Sequence, residues 1–218
     1  MQFQNLKKFK LPPNFRGRKA WYVQTWWLVQ MLFFKTSPQF MYKWRRFLLR
    51  CFGAKIGKGV LIRPTAHVQF PWKLEVGDHC WIGDEVVLYN LDTIKIGSHA
   101  VISQRSYLCT GSHHHYKSDF TIYMKPIHIG SQSWLAADVF VAPGVTIGFG
   151  TVVGSRSSVF KSLPAGKICF GTPAEVIKDR IMENENEMNY VFRPSFEPMP
   201  IEMWSKYVTE RAMFKDYQ

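Results

Sequence analysis

Three of the chain's seven histidines stand side by side, at His113, His114 and His115, directly behind the run Thr110-Gly111-Ser112. Two chemistries use imidazoles placed in this way. One is metal binding, but three adjacent residues cannot all aim at one ion without severe distortion, and paired ligands on a helix stand a turn apart. The other is general-base catalysis, in which a neutral imidazole takes a proton from an alcohol near neutral pH. The Thr-Gly-Ser turn follows Leu108 closely, so His113 is held more rigidly than the two residues beyond it. His113 is therefore the candidate base, while at least two of the three histidines read equally well as solvated loop side chains. The four cysteines, Cys51, Cys80, Cys109 and Cys169, form no CxxC pair and read as reduced thiols of a cytosolic protein, with Cys80 in the core.

The histidine loop interrupts a period of six. From Ile56 to Val159 an aliphatic residue returns at each sixth position: Ile56, Ile62, Val68; Val76, Ile82, Leu88; Ile96, Ile102, Leu108; then Ile129, Leu135, Val141, Ile147, Val153 and Val159. A small or apolar residue precedes each by two places. Glycine often follows, as at Gly57, Gly77 and Gly83. Neither a helix nor an alternating strand has this period. A coil of short strands with tight corners does, each corner turning one aliphatic knob inward and glycine relieving the backbone at the bend. The spacing stretches after Val68, after Leu88 and, much further, after Leu108. Each stretch follows three hexads, so all three fall at one corner of successive triangular turns. The third throws out a loop, roughly residues 109–126, and projecting insertions are where repeat folds carry function. Five coils stacked about 4.8 Å apart make a prism about 24 Å tall.

This coil occupies residues 54–173. Residues 1–53 form a basic, aromatic, helical lead-in, broken at Pro12-Pro13 and Pro38. The net charge is +12, and the first acidic residue is Glu75. Basic residues among Trp21, Trp26, Trp27, Phe33 and Trp44 suit an anionic surface. A membrane interface fits better than nucleic acid, because the aromatics cluster with aliphatics. Packing on the coil or on a neighbouring subunit explains the same helix. The apolar stretch 20–34 is too short to span a bilayer, and begins too far in to read as a secretory signal. Residues 174–218 form a tail, with helices expected over 179–188 and 202–215, that either caps the coil or meets a partner.

The hexads and several motifs resemble the bacterial hexapeptide-repeat acyltransferases. The motifs are Leu108-Cys109-Thr110-Gly111-Ser112-His113, Ser133-Trp134-Leu135-Ala136-Ala137, the run from Val153 to Lys161, and Gly171-Thr172-Pro173-Ala174. The resemblance is to the branch of galactoside, maltose and nodulation acetyltransferases, nearest to the colanic acid biosynthesis acetyltransferases, whose lead-in is similar around Arg16-Gly17-Arg18 and Phe52-Gly53-Ala54. It implies a mainly β protein, a left-handed parallel β-helix of about five coils, assembled as a homotrimer with active sites between subunits. It implies acetyl-CoA as donor, no metal, and direct acetyl transfer to a sugar hydroxyl of an exopolysaccharide precursor, which could be lipid-linked. His113 matches the family's base. Asn90, at the second corner bulge, matches a polar position near the acceptor, though asparagine also favours such turns; Asp92 nearby is a further candidate to orient the imidazole. Family position makes Ala136, Ala137, Gly154 and Ser155 candidates for the pantetheine arm, and Trp134 either a neighbour of the thiol or an intersubunit contact. Arg156, Lys161, Lys178 and Arg180 follow the line toward the CoA phosphates, or form a solvated basic face. Such an enzyme is cytoplasmic, with the lead-in as its contact to the inner membrane face. Two alternatives stand beside it: a non-catalytic scaffold, and a γ-class carbonic anhydrase, whose separated histidines His79 and His99 do not supply.

Overall fold

The computed structural model describes residues 3–181. Short parallel strands wind into three flat faces around one core. The first face stacks Lys55–Ile56, Leu74–Val76, Ile94–Ile96, Ile127–Ile129 and Thr146–Ile147. The second stacks Leu61–Ile62, Trp81–Ile82, Val101–Ile102, Trp134–Leu135, Val152–Val153 and Lys167–Gly171. The third stacks His67–Val68, Val87–Tyr89, Tyr107–Cys109, Phe140–Val141 and Ser158–Val159. The knobs of the hexads align in three columns through the core. Ile56, Val76, Ile96, Ile129 and Ile147 pair in register on the first face. Ile62, Ile82, Ile102, Leu135, Val153 and Cys169 do so on the second. Val68, Leu88, Leu108, Val141 and Val159 complete the third. All are buried, and each such side chain stabilises the fold by about 1.5–3 kcal/mol. A sixth turn begins where Leu163 bridges Ile147, so the coil runs past the expected five.

Two expectations need correcting. Glycine after each knob does not relieve the bend. The left-handed residue of the corner stands two places further on, at His79, Glu85, His99, Arg105, Gln132, Asp138 and Arg156. The glycine is there because the next coil passes too close: a Cβ on Gly77 would lie 2.6 Å from the Ser98 nitrogen. The tail also begins differently. Ala174–Asp179 is a strand antiparallel to Lys167–Gly171, so the sheet continues past residue 173 and Asp179 ends a strand rather than starting a helix. The remainder of the expected tail helices lies outside the described residues.

The lead-in caps the open end of the coil. Helix α1 (Ala20–Val29) continues as a wider π turn, Gln30–Phe34. Its inward residues Val23, Trp26, Gln30 and Phe34 recur at helical spacing and are buried. Helix α2 (Tyr42–Cys51) buries Arg45, Leu48 and Leu49. The first coil has no earlier neighbour, so its backbone groups need other partners. Trp26 Nε1 donates to the Val68 carbonyl at 2.8 Å, and Gln30 Oε1 accepts from the Val68 N–H at 2.8 Å. The buried Arg45 donates to the Ile62 carbonyl at 2.6 Å, Arg46 to Val60 at 2.7 Å and Arg50 to Ile56 at 3.0 Å. The lead-in is therefore structural on its inner side, as the packing alternative expects.

Candidate active site

The three interruptions build on one another at the corner between the third and first faces. The first carries Phe70 and a short turn, Pro71–Lys73. The second carries Leu91. The third is a β-hairpin whose strands Gly111–His113 and Ile122–Met124 pair antiparallel, His113 facing Ile122. Phe70 and Leu91 form a buried cluster with Val23 of α1, and Ile122 and Met124 of the hairpin pack on it. The hairpin thus lies back toward the lead-in, on a floor made by the two smaller bulges. Gly111 allows the approach, since a Cβ there would come within 2.7 Å of Leu91 Cδ1. Thr110 ties the layers: its hydroxyl donates to the Tyr89 carbonyl at 2.9 Å and accepts from the Asp92 N–H at 2.9 Å.

His113 is half-buried in this hairpin. Its Nδ1 lies 2.8 Å from the Phe120 carbonyl oxygen. A carbonyl only accepts, so Nδ1 carries the proton and Nε2 of the neutral ring keeps its lone pair. The ring stacks on Phe120 with centroids 4.1 Å apart and planes at 9°, and Phe9 of the lead-in packs on it at 5.9 Å. One bond and two aromatic contacts thereby orient the imidazole and leave its Nε2 without a hydrogen bond among the described residues. His114 is engaged elsewhere: Tyr116 Oη lies 2.9 Å from its Nδ1, and Tyr123 packs on its ring. Phe9 and Phe120 escaped the sequence reading, because nothing in the spacing shows that the hairpin turns Phe120 back over His113 or that the lead-in reaches it.

The other candidates separate. Asn90 is fully buried, and its amide is committed to Phe70: Oδ1 accepts from the N–H at 2.9 Å and Nδ2 donates to the carbonyl at 2.6 Å. It is a turn staple, not a group open to an acceptor. Asp92 accepts from the Thr93 N–H; the Phe120 carbonyl, not Asp92, holds the imidazole. Ala136, Ala137, Gly154, Ser155 and Arg156 gather at one corner, between the second and third faces, in the fourth and fifth coils. Ala136 is buried and its N–H donates to Val153, while the Gly154 N–H donates to Cys169. Ala137 and Ser155 are more open. Arg156 is exposed and lies 3.9 Å from Asp138, whose carboxyl Arg105 holds below its ordinary range. Trp134 is partly exposed, and its indole N–H donates to Ser103 at 2.9 Å. Val152, Ile168 and Lys178 continue its row across the second face. Lys161 is exposed at the corner of the third and first faces. Arg180 is otherwise engaged, donating to the Gln132 and Gly150 carbonyls at 2.9 Å each, so it clasps the corner of the first and second faces. Among the described residues no three His, Cys, Asp or Glu side chains gather into a metal-holding group.

Three parallel faces wound from hexads, with a histidine hairpin thrown out at one corner, define the class: the hexapeptide-repeat acyltransferases. A hexapeptide-repeat acetyltransferase of Vibrio cholerae O1 biovar eltor, solved with acetyl coenzyme A, superposes with a TM-score of 0.68 at 24% identity over 76% of this chain and 92% of that one. That likeness speaks for the fold. No family model matches the chain. The chain is 61% identical over 178 residues to the protein named Putative colanic acid biosynthesis acetyltransferase WcaF of Escherichia coli (strain K12), covering 82% of this chain and 98% of the relative. It is 27% identical to the galactoside O-acetyltransferase of the same strain, over 68% of this chain and 73% of the other. The chain belongs to the colanic acid biosynthesis acetyltransferases and is an acyltransferase.

Proposed function

We propose that the protein transfers an acetyl group from acetyl-CoA to a sugar hydroxyl of a polysaccharide precursor, with His113 as general base. The observation that carries this is the Nδ1–Phe120 bond, which leaves Nε2 as the acceptor atom. The sugar hydroxyl gives its proton to Nε2 as its oxygen bonds to the thioester carbonyl carbon. The C–S bond then breaks, and the departing CoA sulfur takes the proton back from the imidazolium. No acyl-enzyme is needed. His113→Ala should lower turnover about 10²–10⁴-fold with the assembly intact; a near-wild-type rate would remove His113 from the reaction.

The donor side of this reading is the corner of the second and third faces. The N–H groups of Ala137 and Ser155 make no hydrogen bond among the described residues, unlike those of Ala136 and Gly154. They are free to bond amide groups of the pantetheine arm, with Trp134 on the adjoining second face, and with Lys178 on that face, Arg156 at the corner itself and Lys161 across the third face offering charge to the phosphates. Lys161→Ala is expected to raise the KM for acetyl-CoA and leave kcat nearly unchanged; an unaltered donor KM would exclude Lys161 from the path. In one protomer this corner and the His113 hairpin belong to different edges, and the hairpin lies back toward the lead-in. That separation supports a homotrimer whose neighbours complete each site. So do the outer faces: the first carries the ion pair of Lys55 and Glu75, whereas Leu61, Trp81, Val101 and Val152 line the second and Tyr107 and Phe140 the third.

The outer surface of the cap supports a peripheral place at the inner membrane face. No helix among the described residues is long and apolar enough to cross a membrane. Yet Trp21, Leu28, Met31, Leu32, Phe40 and Phe47 are all exposed, on a segment without a single acidic residue. An anionic bilayer accepts both properties. A Leu28→Ser, Met31→Ser, Phe47→Ser variant should lose sedimentation with anionic vesicles while retaining its melting temperature; equal sedimentation would refute the contact.

A further inference from the structure

The start of the described lead-in, residues 5–9, docks beside the candidate base. The Asn5 N–H donates to the Ser118 carbonyl of the hairpin at 2.7 Å. Leu6–Lys8 forms a short turn capped by the Asn5 side chain, and this turn brings the Phe9 ring to 5.9 Å from the His113 ring, with the planes tilted at 52°. The imidazole thus meets Phe120 of its own hairpin and Phe9 of the lead-in. The segment further on is anchored as well: Trp72 Nε1 donates to the Arg16 carbonyl at 2.7 Å and Lys73 Nζ to the Phe15 carbonyl at 2.9 Å. An arm fastened at both ends therefore borders His113. Along it stand Lys7, Lys8 and Lys10, all exposed, and no acidic residue. The hairpin opposite adds Lys117 and one carboxylate, Asp119. The surroundings of the base are accordingly positive on the arm side, away from the coils that carry the donor residues.

We propose that the arm Phe3–Leu11 is a wall of the acceptor site. Phe9 is a positioning residue that fixes the His113 ring, and Lys7, Lys8 and Lys10 select an acceptor bearing a phosphate-type anion, as a glycosyl diphosphate does. This rests on His113 as the base, and it narrows the acceptor from any sugar to one joined to phosphate. A nucleotide sugar and a lipid-linked glycan share that chemistry.

Binding and positioning are read without turnover, by NMR of the intact protein with labelled histidine, the His113 signal being assigned by its loss in His113→Gln. Inorganic pyrophosphate should move the His113 signal. A Lys7→Gln, Lys8→Gln, Lys10→Gln variant should need at least tenfold more for the same shift. Phe9→Ala should move the His113 signal of the free protein, by loss of the ring current, and Phe9→Tyr should restore it. In turnover, the lysine variant should raise the acceptor KM at least tenfold for a nucleotide sugar, with kcat and the acetyl-CoA KM unchanged, and should not affect a neutral glycoside. A lipid-linked glycan affected while nucleotide sugars are not would identify the lipid-linked source. A His113 signal that ignores pyrophosphate, or a variant titrating like the wild type, overturns the arm's role. Failure of the base assignment is separate: it would show as turnover by His113→Ala, with the pyrophosphate titration intact.

Discussion

At the residue scale, the hairpin does two things for His113: it fixes which nitrogen is protonated and it fixes the ring plane. A backbone carbonyl does the first, so no side-chain substitution at Phe120 removes it. The Phe120 ring does the second. Phe120→Ala is therefore expected to lower kcat about tenfold, within the range that loss of base alignment supports, and to leave the acetyl-CoA KM unchanged. Phe120→Tyr should keep most of the rate; equal rates for Phe120→Ala and the wild type would mean that the stack is incidental. Gly111→Ala tests the floor below. A Cβ at Gly111 meets the Cδ1 end of the buried Leu91 side chain, so the added methyl should destabilise by about 1–3 kcal/mol through overpacking and lower turnover as the strand carrying His113 lifts, read from the melting temperature and kcat together. The anchored place of His113 was legible in the sequence because it lies close behind the core residue Leu108, although Gly111–His113 forms a hairpin strand rather than the expected Thr-Gly-Ser turn. Its two aromatic walls were not, because Phe9 meets His113 only through a docked arm and Phe120 only through a hairpin reversal. Asn90 shows the opposite limit: its position at the bulge was legible, but only the bonds to Phe70 tell a staple from an open amide.

At the scale of elements, the coil was legible and its closure was not. Hexads specify a three-sided wheel because the knobs must stack in columns, and one glance at Ile56, Val76 and Ile96 gives the column. What terminates the stack is polar and irregular: Trp26, Gln30, Arg45, Arg46 and Arg50 satisfying the backbone of the first coil. In sequence those residues are simply a basic aromatic helix, equally suited to a membrane. The cap carries a pH dependence. His67 sits under it, with Nδ1 3.3 Å from Gln30 Nε2 and Nε2 3.1 Å from Gln69 Oε1. Burial pushes its pKa down from the ordinary imidazole value, so the folded state favours the neutral ring that accepts from Gln30. The unfolded chain binds the proton more readily, and stability contributed by the neutral ring is present above the unfolded pKa of about 6.5 and is lost as pH falls from there toward the lower folded value. The melting temperature should therefore fall between about pH 7 and 5, and His67→Gln should flatten that fall; an unchanged slope in the variant would remove His67 from the cap's stability.

At the scale of the whole molecule, the question is whether one chain holds a complete site. The hairpin with His113 leaves the corner between the third and first faces and leans toward the first coil. The open N–H groups of Ala137 and Ser155 stand at the corner between the second and third faces, coils later. A closed ring of three copies uses two different patches on each protomer, and so can bring one copy's hairpin to the next copy's corner. Subunit mixing tests this without a crystal. His113→Ala retains a good donor corner; Ser155→Trp obstructs the corner and retains a good histidine. Each variant alone should be nearly inactive. When the two are unfolded together in equal amounts and refolded, three-quarters of the trimers are mixed, and each of those has one site that pairs an intact histidine with an intact corner. Activity should return to about a quarter of the wild-type value. A site contained within one protomer would give no recovery at all, whatever the ratio, because no single chain in the mixture carries both intact parts.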